Sequence, residues 1–423
     1  MMRLDVFKNN FQGLLQSTGG TFLLLSLITY SFFGALAAIF ALLASILFFL
    51  DKIKCQNNSR TPWVFFLIVT GTWWTFFAHG ILLGDSETNV FIRGLGSSFS
   101  LVLVGSLILS THHLNLKINL LKLANLAMIS LGTMLVIYLI VEVSPKGSLV
   151  NSYSDPRLTL FSGHPVPFTV PVMSLGVMSL LNIQARDLLG KLVAIFFFFL
   201  AAYVVVFESG TRGQLVALGA LIPLAIWYTS DSVKTMVLIF AGIAITTAVV
   251  FFLFGESIIE SRSISLLISD AYRMLFEGKT NDRSEMWLAS LKAIKDSPLL
   301  GYGIENRFNA ITPYLRHPFD AVRHSHPHND LLAGLLASGV IGGIATLATL
   351  SSPLLIHAAG KSRSNESLFL ALSFTSIFFA IGMTNTMLFN EVVSSWVGIA
   401  GFILVTMVKS NSEELIFQEP ASD

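Results

Sequence analysis

Charge is what this chain has least of. Asp, Glu, Lys and Arg make up 12% of its 423 residues, about half the share of an ordinary soluble domain, while hydrophobic residues make up 53%. A water-soluble globule is excluded, because so few charges cannot cover its surface. Cysteine is scarcer still: Cys55 stands alone, which excludes an intramolecular disulfide in whatever compartment the loops face. A formal net charge of +1 supplies no basic field, so nucleic acid is not a partner. No Walker loop and no glycine-rich nucleotide pattern occurs, and nothing resembles an ATP site. Internal repeats and low-complexity tracts are likewise missing.

What is present is a series of apolar runs of about 17 to 30 residues, long enough to cross ~30 Å of hydrocarbon as helices, in a chain of mean hydropathy +0.72. The fold expected is an all-α polytopic membrane protein. About twelve transmembrane helices are predicted, near 12–31, 34–50, 62–83, 91–110, 121–141, 165–182, 190–207, 213–229, 234–254, 329–356, 367–386 and 392–409. The first pair has an alternative as one long tilted helix over 19–50 preceded by an interfacial segment. Arg3 and Lys8 precede apolar sequence with no small-residue cleavage site, so a retained first span is expected rather than a signal peptide. Helices 1 to 9 then occupy residues 1–254, a loop domain 255–328, and helices 10 to 12 with a cytoplasmic tail 329–423.

Cations set the orientation. With the N-terminus inside, thirteen Lys and Arg fall on the inner side, from Arg3 to Lys409, whereas short outer connections hold only Arg93, Lys146, Arg157 and Arg212. This is the asymmetry of the positive-inside rule, and it predicts both termini in the cytoplasm. The other nine Lys and Arg lie in the 74-residue segment Gly255 to His328, which the rule exempts because long loops translocate regardless of charge. A loop of this length is functional or disordered, and its composition argues for order. Asp282-Arg283-Ser284-Glu285 reads as a capping box, Trp287, Leu291 and Ile294 follow at helical spacing, and Pro298 and Gly301 stop the helix. Asp270 to Phe276 reads as a second short piece lying at the membrane surface.

Three spots on the outer face stand out against the apolar background. Glu208-Ser209-Gly210-Thr211-Arg212-Gly213 breaks two spans with a glycine-permitted turn, and its arginine is either a phosphate fork or an interfacial anchor. Arg283 begins the loop helix, where a cation meets the positive end of the dipole unless an anion relieves both; the plainer alternative is a solvated arginine. The densest spot is Arg323-His324-Ser325-His326-Pro327-His328-Asn329-Asp330, opening the next apolar run. Pro327 favours an extended segment that would set the three histidines toward one side. Zinc ligation, a general base with its tautomer fixed by Asn329 or Asp330, and a His-rich interfacial cap all fit this pattern. Cytoplasmic His112 and His113, with Lys117 and Lys122, belong to an interfacial stretch. Two arginines and a histidine on one face are what transfer from a lipid pyrophosphate requires: forks for the phosphate oxygens and a base for the incoming hydroxyl.

The segments Ser-Gly-Thr-Arg-Gly at 209–213, Arg-Ser-Glu-Met-Trp at 283–287, Ser-Pro-Leu-Leu-Gly-Tyr-Gly at 297–303 and His-Pro-His-Asn-Asp-Leu-Leu at 326–332, with Gly339 and Gly342 downstream, resemble the O-antigen ligase (WaaL) family. That family shares its signature domain with O-antigen polymerases and bacterial protein O-oligosaccharyltransferases. The resemblance covers about 190–406, and the first half matches in hydropathy alone. It implies a glycosyltransferase of the GT-C type in the inner membrane of a Gram-negative bacterium. The expected reaction moves an undecaprenyl-pyrophosphate-linked glycan to a sugar hydroxyl of lipid A core at the periplasmic face, inverting, with no cofactor and no metal. Roles carried over by motif make Arg212 and Arg283 the pyrophosphate binders and His328, directly before Asn329, the base. His326 matches a second motif histidine, while His324 is an addition that leaves the choice of base open, and Asn329 is a supporting residue.

No outer domain follows Lys409, which favours the ligase over the protein-glycosylating relative, with the polymerase as runner-up. A transporter or flippase is expected to show paired broken helices and midplane charges, and here the charges crowd the outer ends of spans. A metal-dependent enzyme would use Asp85 and Glu87 on the second outer turn.

Overall fold

The computed structural model describes residues 165–184, 188–208, 211–230, 232–238, 282–315, 327–360 and 364–386, with scattered positions between 83 and 404. Most of the first half, the acidic pair Asp85 and Glu87, the Asp270–Phe276 piece apart from isolated positions, His324, His326 and most of the last predicted span lie outside the described residues. Within them the chain is helical and contains no strand. In order come α1 (Pro165–Gln184), α2 (Leu188–Tyr203) with a π-helical turn over Val204–Glu208, α3 (Arg212–Thr229), α4 (Asp282–Asp296), a 3-10 turn (Asn309–Tyr314), α5 (Asp330–Leu350), α6 (Ser352–Ala359) and α7 (Asn365–Gly382). Leu188–Phe207 and Asn365–Gly382 are long and apolar enough to cross a membrane, and Asp330–Leu350 is so by length and composition alone.

The main core is where α1, α2, α3 and α7 meet, with Met173, Val177, Leu221, Phe374 and Phe378 buried in it. Several polar residues inside these apolar helices find donors or acceptors on a helix backbone or a neighbouring helix. Ser174, Ser179 and Asn182 donate to carbonyls four residues back on α1, and Gln214 Nε2 donates to Thr169 Oγ1 at 2.6 Å, tying α3 to α1. Each such bond removes the cost of a buried unsatisfied donor. At the far end of α3, Tyr228 stacks on Phe369 of α7 at 4.3 Å between centroids.

A second, smaller core joins α4 to the 3-10 turn and to the middle of α5 through Met286, Ala289, Ala293, Ile311, Leu315 and Leu336. The spacing of Met286, Ala289 and Ala293 is that of one helix face, and the opposite face leaves Leu288 and Leu291 exposed. The loop helix therefore forms where the capping-box reading places it and stops at Asp296, ahead of Pro298.

Helix α5 departs from the single span predicted at 329–356. Its backbone is interrupted at Ser338 (φ −141°, ψ 25°) and Gly339 (φ 60°, ψ −149°), and the second half folds back on the first. A Cβ added to Gly342 would strike the Gly334 carbonyl, and one on Gly343 would meet Leu335. Both ends reach the same place: Asp330 Oδ2 and Leu350 Cδ2 lie 3.0 and 3.2 Å from where a Cβ of Gly382 would stand. The element is a helical hairpin with arms of about 12 and 16 Å at 1.5 Å per residue, each too short alone for ~30 Å of hydrocarbon. Glycines at 334 and 342 allow the arms to touch backbone to backbone, as small residues do between apolar helices.

The segment after α4 closes the break. Tyr302 and Gly303 N–H donate to the Leu336 and Ala337 carbonyls at 2.8 and 3.0 Å, and Val340 N–H donates to the Pro298 carbonyl at 2.9 Å. These bonds satisfy helix-end groups that the interruption exposes. Gly301 (φ 66°) and Gly339 (φ 60°) are left-handed, and a Cβ on either would run into the backbone of the other segment. The Ser-Pro-Leu-Leu-Gly-Tyr-Gly sequence is thus a splice between loop and hairpin.

Candidate functional site

The C-terminal end of α7 is the hub around which the predicted residues gather. Arg212 is the first residue of α3, entered from Thr211 in extended backbone (φ −114°, ψ 125°). Gly213 beside it packs so closely on α7 that a Cβ would land on the Thr384 hydroxyl, with the Ala380 carbonyl 3.0 Å away. Only glycine fits there, which explains the residue after the arginine. From the other side, Asn329 caps α5 by accepting the Leu332 N–H at 3.1 Å, and its Nδ2 donates to the Met383 carbonyl at 3.4 Å. Gly213, next to Arg212, thus packs on Thr384, and Asn329, next to His328, bonds the adjacent Met383. Buried Asp330 fixes the next position, accepting the Leu388 N–H at 3.1 Å.

Arg283 comes in on the first turn of α4. Burial is the larger cause, and the charge of Arg212 the smaller, of a guanidinium pKa lowered to about 10. Burial lowers that of Arg212 as well. Two cations from helices some seventy residues apart in sequence are thus near enough to repel, and each stands at the positive end of a helix dipole. Such an arrangement stores unfavourable electrostatics that a multiply charged anion would relieve.

His328 does not continue the extended segment expected from Pro327. Its φ is 48°, a left-handed turn between buried Pro327 and the extended cap residue Asn329 (φ −155°, ψ 118°). At His328 the backbone is not extended because the chain turns to enter α5. One turn after Arg283 on α4, the Trp287 indole N–H donates to the Pro327 carbonyl at 2.8 Å, joining the arginine helix to the histidine turn. Among the described residues no three His, Cys, Asp or Glu side chains come together, and His324 and His326 lie outside those residues.

Sequence reasoning singled out Arg212, Arg283, His328 and Asn329 and did not anticipate Met383 and Thr384 next to them. Met383 and Thr384 carry no charge and sit at the end of an apolar run, so nothing in the pattern marks them. Trp287 was legible only as a core position of an amphipathic helix.

The described residues are helical, include helices long and apolar enough to cross a membrane, and bring Arg212 and Arg283 close enough for their charges to interact. Residues 196–347 match the family model described as O-antigen ligase (Wzy_C), which supports a place in the O-antigen ligase superfamily of glycosyltransferase-like ligases and polymerases. The matched stretch contains Arg212, Arg283, Trp287 and His328 together with the splice and the hairpin, and leaves out α7. No curated protein matches the chain.

Proposed function

We propose that this chain is an O-antigen ligase of the bacterial inner membrane. It transfers an undecaprenyl-pyrophosphate-linked polysaccharide to a sugar hydroxyl of lipid A core at the periplasmic face. The single observation that carries this reading is the arginine pair: Arg212 and Arg283, half-buried in the first turns of two helices distant in sequence, lie close enough for the charge of Arg212 to act on Arg283, while Gly213 and Asn329 pack on the same end of α7. Arg212 and Arg283 hold the pyrophosphate oxygens and offset the charge that builds on them as the lipid departs. His328 takes the proton of the acceptor hydroxyl, whose oxygen forms the new bond to the anomeric carbon as the bond to the phosphate oxygen breaks. Attack opposite the leaving group inverts the anomeric centre, and the lipid pyrophosphate is released. Neither a metal nor a nucleotide is required. The family match over residues 196–347 supports this reading.

The test is reconstitution of the purified protein with lipid-linked glycan and lipid A core in EDTA. Joined product with an inverted linkage is expected. Extension of the lipid-linked glycan with no joined product would make the chain a polymerase using the same corner, and activity restored only by added metal would refute the metal-free mechanism.

A further inference from the structure

The mechanism makes no use of Trp287, yet this side chain links the two halves of the site. Its Nε1–H bonds the Pro327 carbonyl at 2.8 Å across 40 residues of sequence. That oxygen belongs to the peptide whose nitrogen is His328, so the bond fixes the plane on one side of His328. On the other side, the Asn329 side chain is held by the Leu332 N–H and the Met383 carbonyl. Between these two fixed points His328 adopts φ 48°, a conformation an L residue does not favour without its surroundings imposing it. The helix that supplies the indole also carries Arg283 four residues earlier, on the same face. That helix is held in turn by its packing on Leu336 and by the splice from Pro298 to Gly303 onto the break in α5.

We propose that Trp287 is a positioning residue: its indole N–H holds the left-handed turn at His328 and so sets the imidazole relative to the two arginines. One rigid helix then fixes both the phosphate fork and the base, and the distance between them does not depend on the rest of the loop. The inference rests on the proposed role of His328 as base.

The experiment uses the full-length protein with lipid-linked glycan and acceptor, comparing Trp287→Phe, His328→Ala and the double variant. Trp287→β-(3-benzothienyl)alanine is added because it keeps the shape of indole and lacks the donor. Both Trp287 variants are expected to lower kcat by about 10- to 100-fold, the cost of a misplacement on the order of 1 Å, with the donor KM unchanged because Arg283 stays in place. In the His328→Ala background the same change is expected to have no further effect, since its route runs through the imidazole. Normal kcat in the benzothienyl variant overturns the proposal, as does an undiminished loss in the His328→Ala background or a donor KM that rises in step with the fall in kcat. Wild-type turnover by His328→Ala instead refutes the base reading itself, whatever the Trp287 variants do.

Discussion

Arg283 shows why charge in an apolar chain is informative. A guanidinium with a pKa near 10 in the folded protein and an ordinary one when unfolded binds fewer protons folded than unfolded between those values. Stability therefore rises with pH through that window, and below it the folded state carries a constant electrostatic penalty. An anion on the arginine pair removes that penalty. Arg283→Gln is accordingly expected to leave the ligand-free protein as stable as the wild type or more so, while abolishing the rise in Tm that inorganic pyrophosphate induces. Thermal unfolding in detergent with and without pyrophosphate reads both, and a pyrophosphate shift that survives the substitution would separate Arg283 from anion binding. The arginines and His328 were legible because an ionisable group at the end of a span has few reasons to be there. The left-handed turn at His328 was not, since Pro327 constrains the residue before it and says little about the one after.

At the level of elements, α4 was readable from its capping box, but its apolar face was read at Trp287, Leu291 and Ile294 whereas Leu291 is exposed and Met286, Ala289 and Ala293 are buried, and α5 was misread. Hydropathy reports that Asp330–Leu350 avoids water and carries no direction, so an apolar run that folds back looks like one that crosses. The signal present was the glycine pattern 334, 339, 342 and 343, which permits close backbone approach at the turn and between the arms. Gly339→Ala is expected to cost more than about 1 kcal/mol from the left-handed backbone alone, and more again because its methyl would collide with the Leu299 carbonyl. Gly219→Ala on α3, where an added methyl meets nothing within 4 Å, is the control and gains up to about 1 kcal/mol of helix propensity. Chemical denaturation of the two variants measures the contrast; equal stability would mean that the splice does not hold the hairpin closed.

For the whole molecule, the two cores divide the work. The bundle of α1, α2, α3 and α7 carries Arg212 and the hub at the end of α7, while the small core of α4 with the 3-10 turn and α5 carries Arg283 and the histidine turn. Composition was enough to place the chain in the membrane class, and three motifs far apart in sequence pointed to residues that the fold gathers around the end of α7. What brings them together is close packing at Gly213 and Gly382 and the side-chain hydrogen bonds of Asn329, which no periodicity encodes. The central claim is that binding and chemistry reside in different residues of this one corner, and it is tested most directly by measuring donor affinity and single-turnover transfer on the same preparations. His328→Ala is predicted to bind lipid-linked donor like the wild type and to transfer about 10²- to 10⁴-fold more slowly. Arg212→Lys and Arg283→Lys should each lose the equivalent of about 1 to 3 kcal/mol. Wild-type transfer by His328→Ala, or by both lysine variants at normal protein level, would contradict it.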